Sequence, residues 1–265
     1  LEFRRVLFRS PAKVTATSTS GNAVSYRVGS TSICTLSGDT FTILQAGTCY
    51  YYTSALGNDN YTALSENYWS FTISAKAITL TATDQSISYG ASVTKAFTVT
   101  TGALVGSDAF SGATYTYAGI SPTVYTSSTT VPTAPGSYTI TISSAALSSG
   151  ALTNYTVTYS TGTLTISKAS QASLSVSSTS GTYGTSLNLT STGGTTSGSV
   201  TYSTSTAGCS ISAGALTSTG ATTCVVTATM AGNTNYNDVS STATNVVIAA
   251  RPITLTVGNQ TTAFT

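Results

Sequence analysis

Apolar and polar residues alternate along much of this chain. Phe97 and Val99 share one side of an extended segment, as do Tyr115 and Tyr117. The same holds for Tyr138, Ile140 and Ile142, for Tyr155, Val157 and Tyr159, and for Leu164 and Ile166, with Thr or Ser mostly between them. A period of two predicts half-buried antiparallel strands. No stretch keeps apolar residues at helical spacing for more than a turn or two. Turn formers recur at short intervals, Pro132, Pro135 and Gly136 among them. The chain therefore reads as all-β.

A long internal period organises these strands. Cys34 and Cys49 return as Cys209 and Cys224, 175 positions further on. Gly57-Asn58-Asp59-Asn60-Tyr61 returns as Gly232-Asn233-Thr234-Asn235-Tyr236, and Ile78-Thr79-Leu80-Thr81 as Ile253-Thr254-Leu255-Thr256. Such self-similarity marks an array of small domains. We expect a first cysteine-bearing module over residues 11–75, a cysteine-free module over 76–168, a second cysteine-bearing module over 169–249, and the start of another cysteine-free module from 250 to 265. The junctions at Ser74-Ala75-Lys76-Ala77 and Ser167-Lys168-Ala169-Ser170 are short and carry no Gly/Ser-rich or Pro-rich linker. The modules are thus expected end to end, as a semi-rigid rod.

Residues 1–10 resemble the in-frame translation of a short-read sequencing adapter, and we expect them to be an artefact of gene assembly. The first module would then lack the opening strand and Gly-Thr-Tyr-Gly turn that the second has at 172–184, leaving an unpaired sheet edge. The chain would be a fragment, cut at both ends. Setting residues 1–10 aside removes Arg4, Arg5, Arg9 and Glu2, which leaves six basic and six acidic residues. Neutral and unclustered charge gives no reason to expect nucleic acid or an anionic membrane as a partner. No run of 18 apolar residues exists to span a bilayer.

The cysteines bear on location. They form two equivalent pairs, with no His in the chain and no C-x-x-C. That fits disulfides Cys34–Cys49 and Cys209–Cys224 better than a metal; four buried free thiols are the alternative. Disulfides imply an oxidising compartment.

Two resemblances can now be placed. Residues 77–168 resemble the MBG domain of the YGX type, a repeat of bacterial surface proteins. The resemblance rests on Ile78-Thr79-Leu80-Thr81-Ala82, Ser88-Tyr89-Gly90, Gly102-Ala103-Leu104-Val105-Gly106-Ser107-Asp108, Gly136-Ser137-Tyr138-Thr139-Ile140, Asn154-Tyr155-Thr156-Val157 and Gly162-Thr163-Leu164-Thr165-Ile166. Residues 11–75 and 169–249 resemble a bacterial Ig-like repeat. The resemblances imply tandem Ig-like β-sandwiches, with a β-grasp-like variant as the alternative for the cysteine-free module. They also imply a stalk in a large extracellular or cell-surface bacterial protein, often an adhesin, and no catalytic residue.

The residues themselves suggest no enzyme. Without His there is no Ser-His-Asp or Cys-His nucleophile, and the acids are single and scattered. No cofactor or metal is expected. Asn58-Asp59-Asn60 and Asn233-Thr234-Asn235 offer oxygen donors to Ca²⁺, but an Asn turn before a core Tyr explains them better. Gln85 and Gln260, beside several Thr, raise the thought of a self-formed crosslink. The expected function is a spacer whose partners are neighbouring repeats of the same chain. The rival is an adhesive module for extracellular glycan or matrix. Its candidate contacts are Tyr50, Tyr51 and Tyr52, which become Val225, Val226 and Thr227 in the second copy. A binding role predicts an exposed cluster in one copy that the other lacks.

Overall fold

The computed structural model describes residues 6, 7 and 12–259. Two compact units make up the chain. One holds the described residues up to Ser86, with Ser92–Pro132 and Gly136–Thr165; the other holds Ile87–Ala91, Thr133–Pro135 and the described residues from Ile166.

The first cysteine-bearing module contains β1 (Val6–Leu7), β2 (Ala12–Lys13), β3 (Val24–Val28), β4 (Cys34–Ser37), β5 (Thr40–Ile43), β6 (Gly47–Ala55) and β7 (Leu64–Ser74). One sheet runs β1-β7-β6-β3 and the other β2-β5-β4. Inward residues alternate along each strand. Phe41, Tyr51 and Phe71 meet edge to face or tilted, with Phe41 5.2 Å from Tyr51 and 5.1 Å from Phe71. Such pairs add about 0.5–1.5 kcal/mol beyond their buried area. The disulfide Cys34–Cys49 ties β4 of one sheet to β6 of the other.

The cysteine-free module contains β8 (Lys76–Ala82), β9 (Gln85–Ser88), β10 (Phe97–Thr101), β11 (Ala109–Gly119), β12 (Gly136–Ser149), β13 (Tyr155–Ser160) and β14 (Gly162–Ser167). Its sheets run β10-β8-β13 and β11-β12-β14-β9. Ile78, Leu80, Tyr115, Tyr117, Tyr138, Ile140, Ile142, Leu164 and Ile166 are buried, as their alternation predicts, while Tyr159 at the far end of its strand is 40% exposed. The only helical element described here is a single 3₁₀ turn, Leu152–Asn154. A β-grasp needs a helix packed across its sheet, so the module is a two-sheet sandwich instead.

The second cysteine-bearing module contains β15 (Leu174–Val176), β16 (Ser180–Thr182), β17 (Leu187–Asn188), β18 (Ser191–Gly193), β19 (Val200–Thr204), β20 (Cys209–Ser212), β21 (Ala215–Ser218), β22 (Thr222–Met230), β23 (Val239–Ser240) and β24 (Thr244–Ala249). Its larger sheet runs β16-β24-β22-β19, with β23 on β22, beside β17-β21-β20 and the pair β15-β18. Cys209–Cys224 again joins two sheets. Leu216, Val226 and Val246 stand where the first copy has Phe41, Tyr51 and Phe71, and all three are buried. The long β7 of the first copy is broken here into β23 and β24.

Three observations differ from expectation. Pairing is mostly antiparallel, but β13 pairs β8 in parallel, as do β1 with β7 and β16 with β24. Period two reports which face is buried, not strand direction. The edge of β7 is also not bare: Val6 and Leu7 pair with Ile73 and Ser74, as Gly181 and Thr182 pair with Ile248 and Ala249 175 residues later. Finally, residues 251–259 form no strand, and Ile253, Leu255 and Val257 are 95%, 84% and 80% exposed. Their counterparts Ile78, Leu80 and Ala82 are buried in a paired strand; among the described residues nothing supplies those partners here.

The outer faces carry few charges. Hydroxyls pair across strands instead: Thr79 with Thr158 and Thr81 with Thr100 at 2.8 Å, Ser210 with Thr217 and Thr229 with Ser240 at 2.9 Å.

Candidate binding surface

Strand alternation divides the three tyrosines of β6. Tyr51 points into the core and is 1% exposed, so it is no ligand contact in this fold; that corrects the reading of the run as one surface. Tyr50 and Tyr52 lie on the outer face. Across the strand pair, Tyr52 sits opposite Tyr68 of β7. Tyr50 and Tyr68 stack at 5.5 Å and 23°, and Tyr52 meets Tyr68 edge-on at 5.8 Å. On β3, opposite Tyr52, Arg27 holds its guanidinium 4.2 Å above the Tyr52 ring. Arg27 donates from Nε and Nη2 to the two carboxylate oxygens of Glu66, at 3.0 and 2.9 Å. That hydrogen bonding holds the Glu66 carboxyl below its usual range and raises Arg27. Partial desolvation, and then the nearby Tyr50, raises the Tyr68 phenol.

The result is a neutralised aromatic plate. It offers flat ring faces and one oriented guanidinium, a combination suited to stacking against sugar rings or planar groups. The second copy has no such plate: Val225, Thr227, Ala243 and Ser241 stand 175 positions on, and Ser203 lies opposite Thr227 as Arg27 lies opposite Tyr52. Tyr50 and Tyr52 were marked by sequence. Tyr68, Arg27 and Glu66 were missed, because only the strand register brings them beside the tyrosines.

The opposite side of the same strands opens into a cleft of about 460 Å³. Its apolar walls include Leu56, Tyr61, Leu64 and Trp69, which are 76%, 49%, 49% and 40% exposed. Trp69 donates from Nε1 to Thr53 Oγ1 at 3.1 Å.

The remaining candidates take structural roles. Asn58 Oδ1 accepts from the amides of Asn60 and Tyr61 at 3.0 and 3.1 Å, and Asn233 Oδ1 accepts from those of Asn235 and Tyr236 at 2.8 and 3.0 Å. Both are Asn-built turns, with the oxygen that calcium would need already engaged. A Cβ on Gly57 or Gly232 would collide with the carbonyl of Tyr61 or Tyr236, which explains glycine at both. Gln85 is held by the backbone of Thr94, which accepts from its Nε2 and donates 2.9 Å to its Oε1. Gln260 lies outside the described residues. The four cysteines form the two disulfides already described.

Comparison with known proteins bears on the middle of the chain. Residues 78–165 match the family described as MBG domain (YGX type). The matched stretch begins within β8 and ends within β14, so the similarity falls on the cysteine-free sandwich. No curated protein matches the chain. Among solved structures, Drosophila N-cadherin EC1-4 aligns at 10% identity over 93% of this chain and 72% of that one, with a TM-score of 0.29. Mouse cadherin-23 EC22-24 aligns at 12% identity over 94% and 95%, with a TM-score of 0.28. Sidekick-1 immunoglobulin domains 1-4 align at 9% identity over 94% and 73%, with a TM-score of 0.25.

Proposed function

We propose that this chain is a spacer segment of a secreted or surface-exposed bacterial repeat protein. The observation that carries the reading is the return, after 175 residues, of one stapled sandwich on either side of an MBG domain. The copy keeps its disulfide, its Asn turn and its strand register. A scaffold kept while its outer residues change is what a spacer repeat requires. Within the first unit the joint is tight. Ala75 alone separates β7 from β8, and the amide of Ala46 donates 2.9 Å to Oδ1 of the buried Asn154 of the MBG domain. Single-molecule pulling tests the reading. Separate unfolding events are expected, and reductant should lengthen the gain from each cysteine-bearing module by the 15-residue loop its bridge closes. A chain that gives way without resistance would refute it.

A second reading has its own observation. The plate of Tyr50, Tyr52, Tyr68 and Arg27 occurs in one copy only, as a glycan- or matrix-binding surface would. A glycan array should show selective retention that is lost in Tyr50→Ala and Tyr68→Ala. Both side chains are exposed, so the fold should survive. Absence of any retention leaves the spacer role alone.

A further inference from the structure

We propose that Tyr50 and Tyr68 form an oxidative cross-linking site, at which hydrogen peroxide, acting through a peroxidase, joins the two rings into a dityrosine bridge between β6 and β7. Strand register brings the rings together. Tyr52 lies opposite Tyr68 and Tyr50 opposite Ser70, so Tyr50 and Tyr68 are diagonal neighbours on one face of the sheet. Aromatic side chains reach across that diagonal. Their ring centroids are 5.5 Å apart, and their planes lie 23° from parallel. The two residues are 39% and 53% exposed, so an oxidant reaches both and the rings have room to turn.

The neighbouring rings are less suited. Tyr52 meets Tyr68 edge-on at 61° and is half-buried. The Arg27 guanidinium also sits 4.2 Å from the Tyr52 ring centroid. A cation held against the negative face of a ring opposes removal of an electron from it. Elsewhere, Tyr125 and Tyr138 cross at 89° with Tyr138 buried, and Tyr89 and Tyr236 cross at 72° with both half-buried. Among the described residues, Tyr50 and Tyr68 alone combine near-parallel tyrosine rings with exposure of both. The framework does not depend on the pair: Val225 and Ala243 stand at the matching positions of the second copy, which keeps its disulfide.

The chemistry balances with one peroxide. Each tyrosine gives up one electron and its phenolic proton. The two phenoxyl radicals join through a single bond between ring carbons ortho to oxygen. The hydrogens on those carbons then move to the oxygens and restore both phenols. The peroxide takes up the two electrons and two protons and leaves as two waters. The product ties β6 to its neighbour β7 within one sheet. Cys49, next to Tyr50, already ties β6 to β4 of the other sheet. Peroxide thus hardens the first cysteine-bearing module and leaves the second unchanged.

The test treats the full chain, dilute and folded, with a haem peroxidase and hydrogen peroxide. Dityrosine fluorescence should appear in the monomer, with a mass lower by two hydrogen atoms. Proteolysis and mass mapping should place the bridge between Tyr50 and Tyr68. Tyr50→Phe and Tyr68→Phe should each abolish it, and their unchanged melting before treatment checks that the fold is kept. Oxidation should raise the melting temperature of the parent and not of Tyr50→Phe. The proposal is overturned if the folded chain forms no dityrosine, if the bridge forms only between chains, or if the main product uses Tyr52 or another tyrosine. It also falls if the chain unfolded in urea gives the same pair in equal yield, since proximity in sequence would then suffice. An unchanged melting temperature after bridging would overturn the role of the bridge as a tie.

Discussion

Tyr117 presents a residue-scale anomaly at the centre of the cysteine-free sandwich. It is 1% exposed, and its hydroxyl has no hydrogen-bond partner among the described residues. Desolvation, and then the neighbouring Tyr115, raises its pKa. A buried hydroxyl without a partner costs free energy that a ring alone would not. Tyr117→Phe should therefore be neutral or stabilising by about 1 kcal/mol in a denaturant titration. Glu66 offers a contrasting case on the surface. Its carboxyl is lowered from 4.5 by the hydrogen bonds from Arg27. A carboxyl lowered on folding contributes stability that is present above its unfolded value and is lost as pH falls through the folded one. Melting curves of the parent and Glu66→Gln should differ near neutrality and converge in acid; the pair is exposed, so the difference will be small. Residue roles of this kind were partly legible. The alternation of β6 already implied that Tyr50, Tyr51 and Tyr52 could not all face one way. The contact of Arg27 with Glu66 was not, because it crosses 39 residues of chain.

At the scale of elements, strand positions followed from period-two alternation, and buried faces with them. Parallel pairing did not, since the direction of β13 beside β8 depends on the route of the chain between them. The two staples lend themselves to a direct comparison. Cys34 and Cys49 are both 0% exposed, whereas Cys209 is half-buried. Thiol–disulfide exchange needs access to a sulfur, so under mild reductant Cys209–Cys224 should open before Cys34–Cys49. Alkylation followed by peptide mapping reads the order. Replacing both cysteines of one bridge by Ala should cost about 3 kcal/mol in the chain-entropy account of a loop this long. The clasp of Ala46 on Asn154 makes another prediction. Asn154→Ala removes the partner of the half-buried Ala46 amide and should destabilise the first unit by about 1 kcal/mol, measured by thermal melting.

For the whole molecule, the repeat period was the most informative feature of the sequence; the disulfides of the two cysteine-bearing modules recur at it, while residues 251–259 form no counterpart of β8. The first copy carries an aromatic plate that the second lacks on a shared framework, so the framework and its outer residues vary separately. The hydroxyl pairs on the outer faces have a consequence for where such a protein can work. Surface ion pairs weaken as ionic strength rises, because dissolved ions screen them within about 10 Å at 0.1 M. Hydroxyl pairs carry no net charge to screen. The ion pairs described here, Lys13–Asp39 and Arg27–Glu66, are both exposed and contribute little. Melting temperatures in dilute buffer and in molar sodium chloride should therefore agree within a few degrees. A scaffold built in this way keeps its form in rainwater and in brine alike.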